Sequence, residues 1–167
     1  MRCQWHNAAM AALDIELGLA NQSDAPQLAA LARDLIEAGL GWGYRAPRIT
    51  ALIRDADTVT LVARASRRAT GFAVMRIGDE RAHLILLAVQ PAHQRRGIGR
   101  RMVEWLIESA ATAGVSSVHV ELRASNASAY AFYRALAFVE TIRVPGYYRG
   151  RETALRMIRM LRTPTSV

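Results

Sequence analysis

Lysine is absent from this chain: all 22 basic residues are arginine, and they outnumber the 14 acidic residues, giving a formal net charge of +8. Arginine binds phosphates and carboxylates through paired hydrogen bonds, so this balance suits an anionic partner. The arginines are spread along the whole chain, however, and only short pairs such as Arg95–Arg96 occur. Because no basic stripe interleaved with aromatic residues accompanies them, a nucleic-acid-binding module is the least favoured reading.

Cysteine and long apolar runs are also scarce. Cys3 is the only cysteine, which excludes an internal disulfide and is typical of a reducing compartment. No run approaches the roughly 18 apolar residues of a membrane span. Residues 1–13 have no continuous apolar segment, so they predict an N-terminal extension rather than a signal peptide. We therefore expect a cytoplasmic protein with no membrane partner.

The remaining composition favours one folded domain. Hydrophobic residues make up 51% of the 167 residues, enough for a core, and no repeat or linker is visible. We expect a single domain over residues 14–163. Apolar spacing and turn residues predict its elements: strands at 14–20, 58–65, 70–77, 82–89, 117–123, 138–144 and 153–161; helices from about 24 to Gly39, at 48–54, 97–113 and 126–136; a turn at 67–68; and a loop at 145–151. This order predicts an α/β fold with a central mixed sheet of about seven strands and about four flanking helices, rather than a doubly wound fold.

The most informative segment follows the strand at 82–89. Two glycines, Gly97 and Gly99, precede a helix whose free N–H groups and dipole favour an anion. Arg95, Arg96 and Arg100 add positive charge there. The residues predict a pyrophosphate cradle, although glycines that only shape a tight turn remain the alternative. A dinucleotide fingerprint is excluded because Met102 stands where its third glycine belongs, and no Gly-Lys-Ser/Thr of a nucleotide P-loop is present.

Two segments resemble a known family. The run from Gln94 to Gly99 matches the Q/R-x-x-G-x-G/A motif of the GCN5-related N-acetyltransferase (GNAT) superfamily. The segment Val120 to Tyr133, followed by Leu136-Ala137-Phe138, resembles the L-E-V-R-A-S-N-x-x-A-x-x-L-Y-x-x-L-G-F pattern of bacterial ribosomal-protein-alanine N-acetyltransferases of the RimI type. Ala137 stands where glycine is usual. The resemblance covers roughly residues 84–160, about half the chain.

The resemblance implies the GNAT fold and acetyl-CoA as co-substrate. The pantetheine arm would enter a V-shaped gap between the neighbouring parallel strands at 82–89 and 117–123. The residues implied for cofactor binding are Leu87, Ala88, Val89, Gln94, Arg95, Arg96, Gly97, Ile98, Gly99, Arg100, Asn126 and Tyr133.

Acetyl transfer to an amine requires a base for the amine proton and a hydrogen-bond or proton donor for the departing thiolate. By resemblance, Glu121 is the general base and Tyr133 the general acid. An ion pair with Arg123 or another arginine is the alternative for Glu121, and a core aromatic is the alternative for Tyr133. His119 lies on the same strand face as Glu121 by period two, and either a relay or a packed histidine fits it. No histidine has partners at metal spacing, so we predict no metal.

The acceptor amine is less defined. The run from Tyr147 to Glu152 resembles the N-Y-Y…G-R-E-D segment of RimI-type enzymes, with Gly146 replacing the asparagine and Thr153 the aspartate. Those enzymes acetylate the N-terminal alanine of a small-subunit ribosomal protein. We expect a protein or peptide N-terminus as acceptor, with the substrate-binding candidates Trp42, Tyr44, Arg45, Tyr147 and Tyr148. A small-molecule amine and a non-catalytic acyl-CoA-binding module remain alternatives, as do a monomer and a homodimer.

Overall fold

A computed structural model of the chain describes residues 14–162. Its strands are β1 (Ile15–Leu19), β2 (Thr58–Ala65), β3 (Arg68–Ile77), β4 (Arg81–Val89), β5 (Ser117–Arg123), β6 (Val139–Tyr148) and β7 (Glu152–Met160). Its helices are α1 (Ala25–Leu35), α2 (Ala46–Arg54), α3 (Ile98–Thr112) and α4 (Ala127–Ala135). The predicted element order and the mixed seven-stranded sheet with four helices are confirmed. The predicted extension at residues 1–13 lies outside the described residues.

The sheet has the strand order β1-β2-β3-β4-β5-β7-β6. Only the β4–β5 pair is parallel, and every other neighbouring pair is antiparallel. The helices divide between the two faces of this sheet. One core contains Met102 and Leu106 of α3 and the β5 residues Val118, Val120 and Leu122. A second core contains residues of α1 and α2 packed on Phe72 and Val74 of β3.

Local chemistry explains most of the helix boundaries. Asn21 caps a 3₁₀ turn at Gln22–Asp24 that leads into α1, and its side chain accepts a hydrogen bond from the Ser23 N–H at 3.0 Å. Gly97 begins α3 in the left-handed conformation, at φ +76°. Asn126 caps α4 and accepts from the Ala129 N–H at 3.0 Å. Gly97 and Asn126 are the residues at which the sequence predicts the last two helices to begin.

Several predicted boundaries were wrong. The helix α1 ends at Leu35, before Gly39, and α2 begins at Ala46 rather than residue 48, because Pro47 fits the first turn of a helix. The β2–β3 turn lies at Ser66–Arg67, both at positive φ, and not at 67–68. Two-residue hairpin turns need positive φ at both positions, which composition alone does not reveal for this pair.

The predicted loop at residues 145–151 is mostly strand. The strand β6 continues to Tyr148 through Pro145 and Gly146, with a register shift between Val144 and Tyr148. Proline has no N–H to donate to a neighbouring strand. An edge strand such as β6 tolerates it, because one side of the strand has no neighbour. The β6–β7 hairpin is therefore longer than the sequence predicts.

Candidate active site

The parallel strands β4 and β5 separate part-way along their length. Their ladder runs from Arg81 opposite Ser117 to Leu84 opposite Val120 and then stops, although β4 continues to Val89 and β5 to Arg123. Beyond Leu84, therefore, the edge of β4 that faces β5 has no strand partner. The gap predicted between these two strands is present.

A β-bulge marks the point of separation. Val74 of β3 pairs with Leu86 and Met75 pairs with Leu84, so Ile85 is the extra residue on β4. A bulge of this kind bends its strand and increases the local twist. It also interrupts the alternation of side chains, since Ile85 and Leu86 both pack towards the core formed with α1 and α2. The strand thus turns away from β5 where the gap begins.

Free backbone N–H groups follow the end of β4. Residues 95–100 provide six consecutive N–H groups with no acceptor within residues 14–162, and the next one, from Arg101, bonds the Gly97 carbonyl at 3.0 Å. Arg95 and Gly97 have positive φ, +60° and +76°. A run of N–H groups at a helix N-terminus is an anion-binding arrangement. The free N–H groups that the sequence predicts at this helix N-terminus are therefore present, and pyrophosphate binding by them stays a prediction.

The other residues predicted to bind the cofactor surround this cradle. Gln94 donates from Nε2 to the Val89 carbonyl at 2.9 Å and so fastens the loop to the end of β4. Leu87, Ala88 and Val89 pair with β3 on one side only. Asn126 is the N-cap of α4. Their contacts to a cofactor stay predictions.

Glu121 is held by two side chains of the β6–β7 hairpin. Its Oε1 accepts from Arg156 Nε at 2.8 Å, and its Oε2 accepts from the Tyr147 hydroxyl at 2.6 Å. The hydrogen bond between Tyr147 and Glu121 is the main cause that raises the pKa of Tyr147. The arginine that pairs with Glu121 is Arg156, which was not among the predicted site residues. The alternation of apolar and polar residues along β7 could have indicated Arg156, because it lies between the apolar residues Leu155 and Met157.

Tyr133 is almost completely buried, with 6% of its surface exposed. Its ring packs edge-on against Phe132 and Phe138, with centroid distances of 5.1 and 5.4 Å. Burial raises the pKa of Tyr133 far above its usual value, so its hydroxyl stays protonated as a hydrogen-bond donor. Both readings left open by the sequence, a core aromatic and a proton donor, are compatible with this position.

His119 lies two residues before Glu121 on β5. Its Nε2 and the Ser117 Oγ are 2.9 Å apart, and His83 of β4 stands opposite it in the parallel ladder. Burial, and after it the charges of Arg81 and His83, lower the pKa of His119. A neutral imidazole with a hydroxyl partner results. Within residues 14–162 no three residues are grouped in a way that could hold a metal ion.

The loop between α1 and α2 is packed against itself. Glu37 accepts from the N–H groups of Gly43 and Tyr44 at 2.7 and 3.0 Å. Trp42 donates from Nε1 to the Tyr44 carbonyl at 3.2 Å, and the Arg45 guanidinium lies 4.8 Å from the Trp42 ring centroid. The predicted acceptor residues Trp42, Tyr44 and Arg45 therefore form one ordered cluster.

Arg123 connects this loop region to the β6–β7 hairpin. One of its terminal nitrogens donates to the carbonyls of Ala38 at 2.8 Å and Ile36 at 3.2 Å. Its Nε lies 3.6 Å from Glu152, and its guanidinium lies 5.9 Å from the centroid of the Tyr148 ring. Burial raises the pKa of Tyr148 to about 12. One side chain thus joins the chain segment just after α1 to the hairpin that carries the predicted acceptor residues Tyr147 and Tyr148.

Comparisons with known proteins agree with this geometry. The model of the acetyltransferase (GNAT) family matches residues 29–138. The chain is 39% identical over 102 residues to the [ribosomal protein bS18]-alanine N-acetyltransferase of Salmonella typhimurium, which covers 59% of this chain and 69% of that enzyme. The match thus spans about two-thirds of the relative's length.

Solved structures share the fold over nearly the whole chain. The crystal structure of the ribosomal-protein-S18-alanine N-acetyltransferase from Escherichia coli superposes with a TM-score of 0.78 at 25% identity, covering 92% of this chain and 99% of that one. Arabidopsis thaliana NAA60 in complex with acetyl-CoA superposes with a TM-score of 0.79 at 18% identity, covering 88% and 98%. None of the helices within residues 14–162 is long and apolar enough to cross a membrane.

Proposed function

Because this chain belongs to the acetyltransferase (GNAT) family, we propose that it transfers the acetyl group of acetyl-CoA to the α-amine of a protein or peptide N-terminus. The matched relative is an alanine N-acetyltransferase of ribosomal protein bS18, as its name states. The proposed acceptor class follows that relative. The proposed partners are accordingly acetyl-CoA and a protein N-terminus, a ribosomal protein among them.

The observation that carries the proposal is that the gap between β4 and β5 leads directly to the free N–H groups at residues 95–100. The β4–β5 ladder ends at Leu84 and Val120, so the free edge of β4 leads from a point beside Glu121 to the free N–H groups at residues 95–100. A pantetheine arm needs a free strand edge, and a pyrophosphate needs N–H donors. The residues present therefore fit acetyl-CoA, with Leu87 to Val89 along the arm and residues 94–100 at the pyrophosphate. Bound there, acetyl-CoA supplies the activated acyl group.

Glu121 serves as the general base in this proposal. An α-amine titrates near pH 8 and a lysine amine near 10.4, so an N-terminus costs about 3 kcal/mol less to deprotonate. Glu121 takes the proton that the nitrogen loses as its bond to the acyl carbon forms, directly or through water. Arg156 and Tyr147 fix the orientation of this carboxylate.

Tyr133 serves as the proton donor to the departing thiolate. Its raised pKa keeps the phenol neutral throughout the pH range in which the amine is reactive. The aromatic packing around the ring holds the hydroxyl in position.

A thiol-release assay with acetyl-CoA tests the proposal. The acceptors are peptides with different first residues, one of them an alanine-start ribosomal peptide, together with amino acids and polyamines. Glu121→Gln and Tyr133→Phe should each lower kcat by about 10²- to 10⁴-fold. Glu108→Gln on the exposed side of α3 and Tyr130→Phe on α4 are matched controls that should retain activity.

Three results would change the proposal in different ways. Turnover of a small amine alone would keep the chemistry and replace the acceptor class. Full activity in Glu121→Gln would remove that residue from the mechanism. Binding of coenzyme A without turnover of any acceptor would favour the acyl-CoA-binding module instead.

A further inference from the structure

A pocket of about 410 Å³ lies between α2 and the middle of the sheet. Its wall includes the side chains Tyr44, Arg48, Leu52, Asp55, Arg76 and Ile85. Tyr44 is one of the predicted acceptor-binding residues, and the others have no role in the transfer chemistry described above. We call this cavity the α2 pocket.

The α2 pocket lies beside the proposed base. Leu84 and Val120 are the last paired residues of β4 and β5, so Ile85 and Glu121 are the next residues on the two strands. Val120 and Leu122 point into the core formed with α3, so Glu121 points to the other side of the sheet. Ile85 packs on that same side, against the core formed with α1 and α2. Ile85, which lines the pocket, and Glu121 therefore lie on the same side of the sheet, each one residue beyond the end of the β4–β5 ladder.

The charge of the α2 pocket favours an anion. Arg48 is exposed, and its guanidinium lies 4.2 Å from the centroid of the Tyr44 ring. Within residues 14–162 no carboxylate lies within 4 Å of it. Stacking on the ring orients the guanidinium while leaving its N–H edge free for a carboxylate.

The second arginine of the pocket is only partly neutralised. Arg76 lies 3.4 Å from Asp55, and its side chain is 57% exposed. The Asp55 carboxylate also accepts from the Asp57 N–H and the Thr58 hydroxyl, each at 3.0 Å. The lining therefore contains two guanidinium groups and one carboxylate, which pairs with Arg76 only, and the pocket keeps an excess of positive charge.

We propose that the α2 pocket binds an acidic side chain of the acceptor peptide, close behind its N-terminal residue. This inference rests on the proposed function and adds a substrate preference to it. Arg48 is the main contact and Arg76 the second. The acidic side chain then positions the peptide so that its amine lies at Glu121.

Kinetics on peptides that differ only in charge test this inference. The peptides begin with alanine and carry Glu, Gln or Lys at the second or the third position. The wild-type enzyme should favour a Glu peptide over its Gln counterpart by about fivefold in kcat/KM, the size of a partly exposed ion pair. Added salt should reduce this preference. Arg48→Gln should abolish it, Arg76→Gln should weaken it, and Arg48→Glu should transfer the preference to the Lys peptide.

Arg54→Gln, on the exposed side of the same helix, is the matched control and should keep the wild-type preference. Thermal unfolding of each variant verifies that the fold is retained. Peptide turnover without any charge preference in the wild type would overturn this inference and leave the proposed function intact. A preference that survives in both Arg48→Gln and Arg76→Gln would also overturn it. Turnover of no peptide at all would overturn the proposed function and this inference together.

Discussion

Tyr147 donates its hydroxyl hydrogen to Oε2 of Glu121 across 2.6 Å. Arg156 occupies the other oxygen of the same carboxylate, so both contacts come from the hairpin that also forms one wall of the proposed acceptor site. The β5–β7 register places Arg156 directly opposite Glu121. Movement of the hairpin and alignment of the proposed base are therefore linked through two hydrogen bonds.

The first prediction concerns this link. Arg156→Gln should lower kcat for peptide acetylation by about tenfold and leave the KM for acetyl-CoA unchanged. A hydrogen bond to a charged group is worth about 1.5–3 kcal/mol, and about 1.4 kcal/mol corresponds to a factor of ten. The control is Arg143→Gln, which removes a comparable ion pair with Glu140, 2.7 Å long, on the neighbouring strand.

A double-mutant cycle separates alignment of Glu121 from general damage. Tyr147→Phe should lower kcat in the wild-type background and have no further effect when Glu121→Gln is already present. Equal effects in both backgrounds would show that Tyr147 acts independently of Glu121. Steady-state kinetics on one alanine-start peptide provide all four values.

A second prediction follows from the absence of lysine. The five tyrosines dominate titration between about pH 9 and 12. Burial raises the pKa of Tyr148 to about 12 and also raises that of Tyr133. A tyrosine whose pKa is raised by folding does not change the free energy of unfolding below its unfolded pKa, which is near 10. Above that pH the free energy of unfolding falls, because the tyrosine ionises in the unfolded chain but not in the folded one.

The free energy of unfolding should therefore be nearly constant from pH 8 to 10 and fall above pH 10. Urea titrations at pH 8, 10 and 11.5 measure this fall. Tyrosinate absorbance should appear at a higher pH in the native protein than in the unfolded protein. Tyr148→Phe should show a shallower fall than the wild type over the same range. Parallel curves for the two proteins would contradict the assignment to Tyr148.

The sequence predicted those elements that local patterns define. Strands β2 and β5 were predicted with the bounds that the structure shows, because apolar residues and turn residues delimit them. The strand β6 was predicted too short, since Pro145 and Gly146 normally end a strand and an edge position tolerates them. Local patterns thus failed where tertiary context decides.

The same distinction applies to the site. Period-two alternation on β5 was enough to place Glu121 on one face with His119. Its partner Arg156 depends on the register between β5 and β7, which are 35 residues apart in sequence at this contact. A slip of one residue would place Leu155 or Met157 opposite Glu121 instead. The contacts of Arg123 to the carbonyls of Ile36 and Ala38 are likewise long-range and have no local signature.

A third prediction concerns Arg123, which joins the segment after α1 to the β6–β7 hairpin beside the proposed acceptor site. Arg123→Gln should raise the KM for the acceptor peptide by about fivefold to tenfold without changing the KM for acetyl-CoA. The variant loses hydrogen bonds to two carbonyls and the ion pair with Glu152, and a lost charged hydrogen bond costs about 1.5–3 kcal/mol, part of which the loops recover by moving. Arg123→Lys keeps the charge and should recover part of the affinity.

Arg134→Gln, on the exposed side of α4, is the control for Arg123 and should change neither KM. Equal rises in both KM values for Arg123→Gln would indicate general loss of structure rather than a displaced acceptor wall. Initial rates over a grid of both substrate concentrations distinguish the two cases.

The last prediction tests the packing of the strand that borders the gap. A Cβ atom at Gly71 on β3 would lie 2.7 Å from the Ala88 carbonyl oxygen and 3.2 Å from the Val89 side chain. Because that oxygen belongs to the backbone of β4, Gly71→Ala should force β4 to move and lower the free energy of unfolding by about 1–3 kcal/mol. A Cβ at Gly18 on β1 meets nothing within 4 Å, so Gly18→Ala should change stability by less than about 1 kcal/mol. Since Ala88 and Val89 also form the proposed pantetheine edge, Gly71→Ala should raise the KM for acetyl-CoA, whereas Gly18→Ala should not. Urea unfolding and acetyl-CoA saturation curves measure the two effects, and a Gly71→Ala protein with wild-type stability would show that β4 is not confined as the structure indicates.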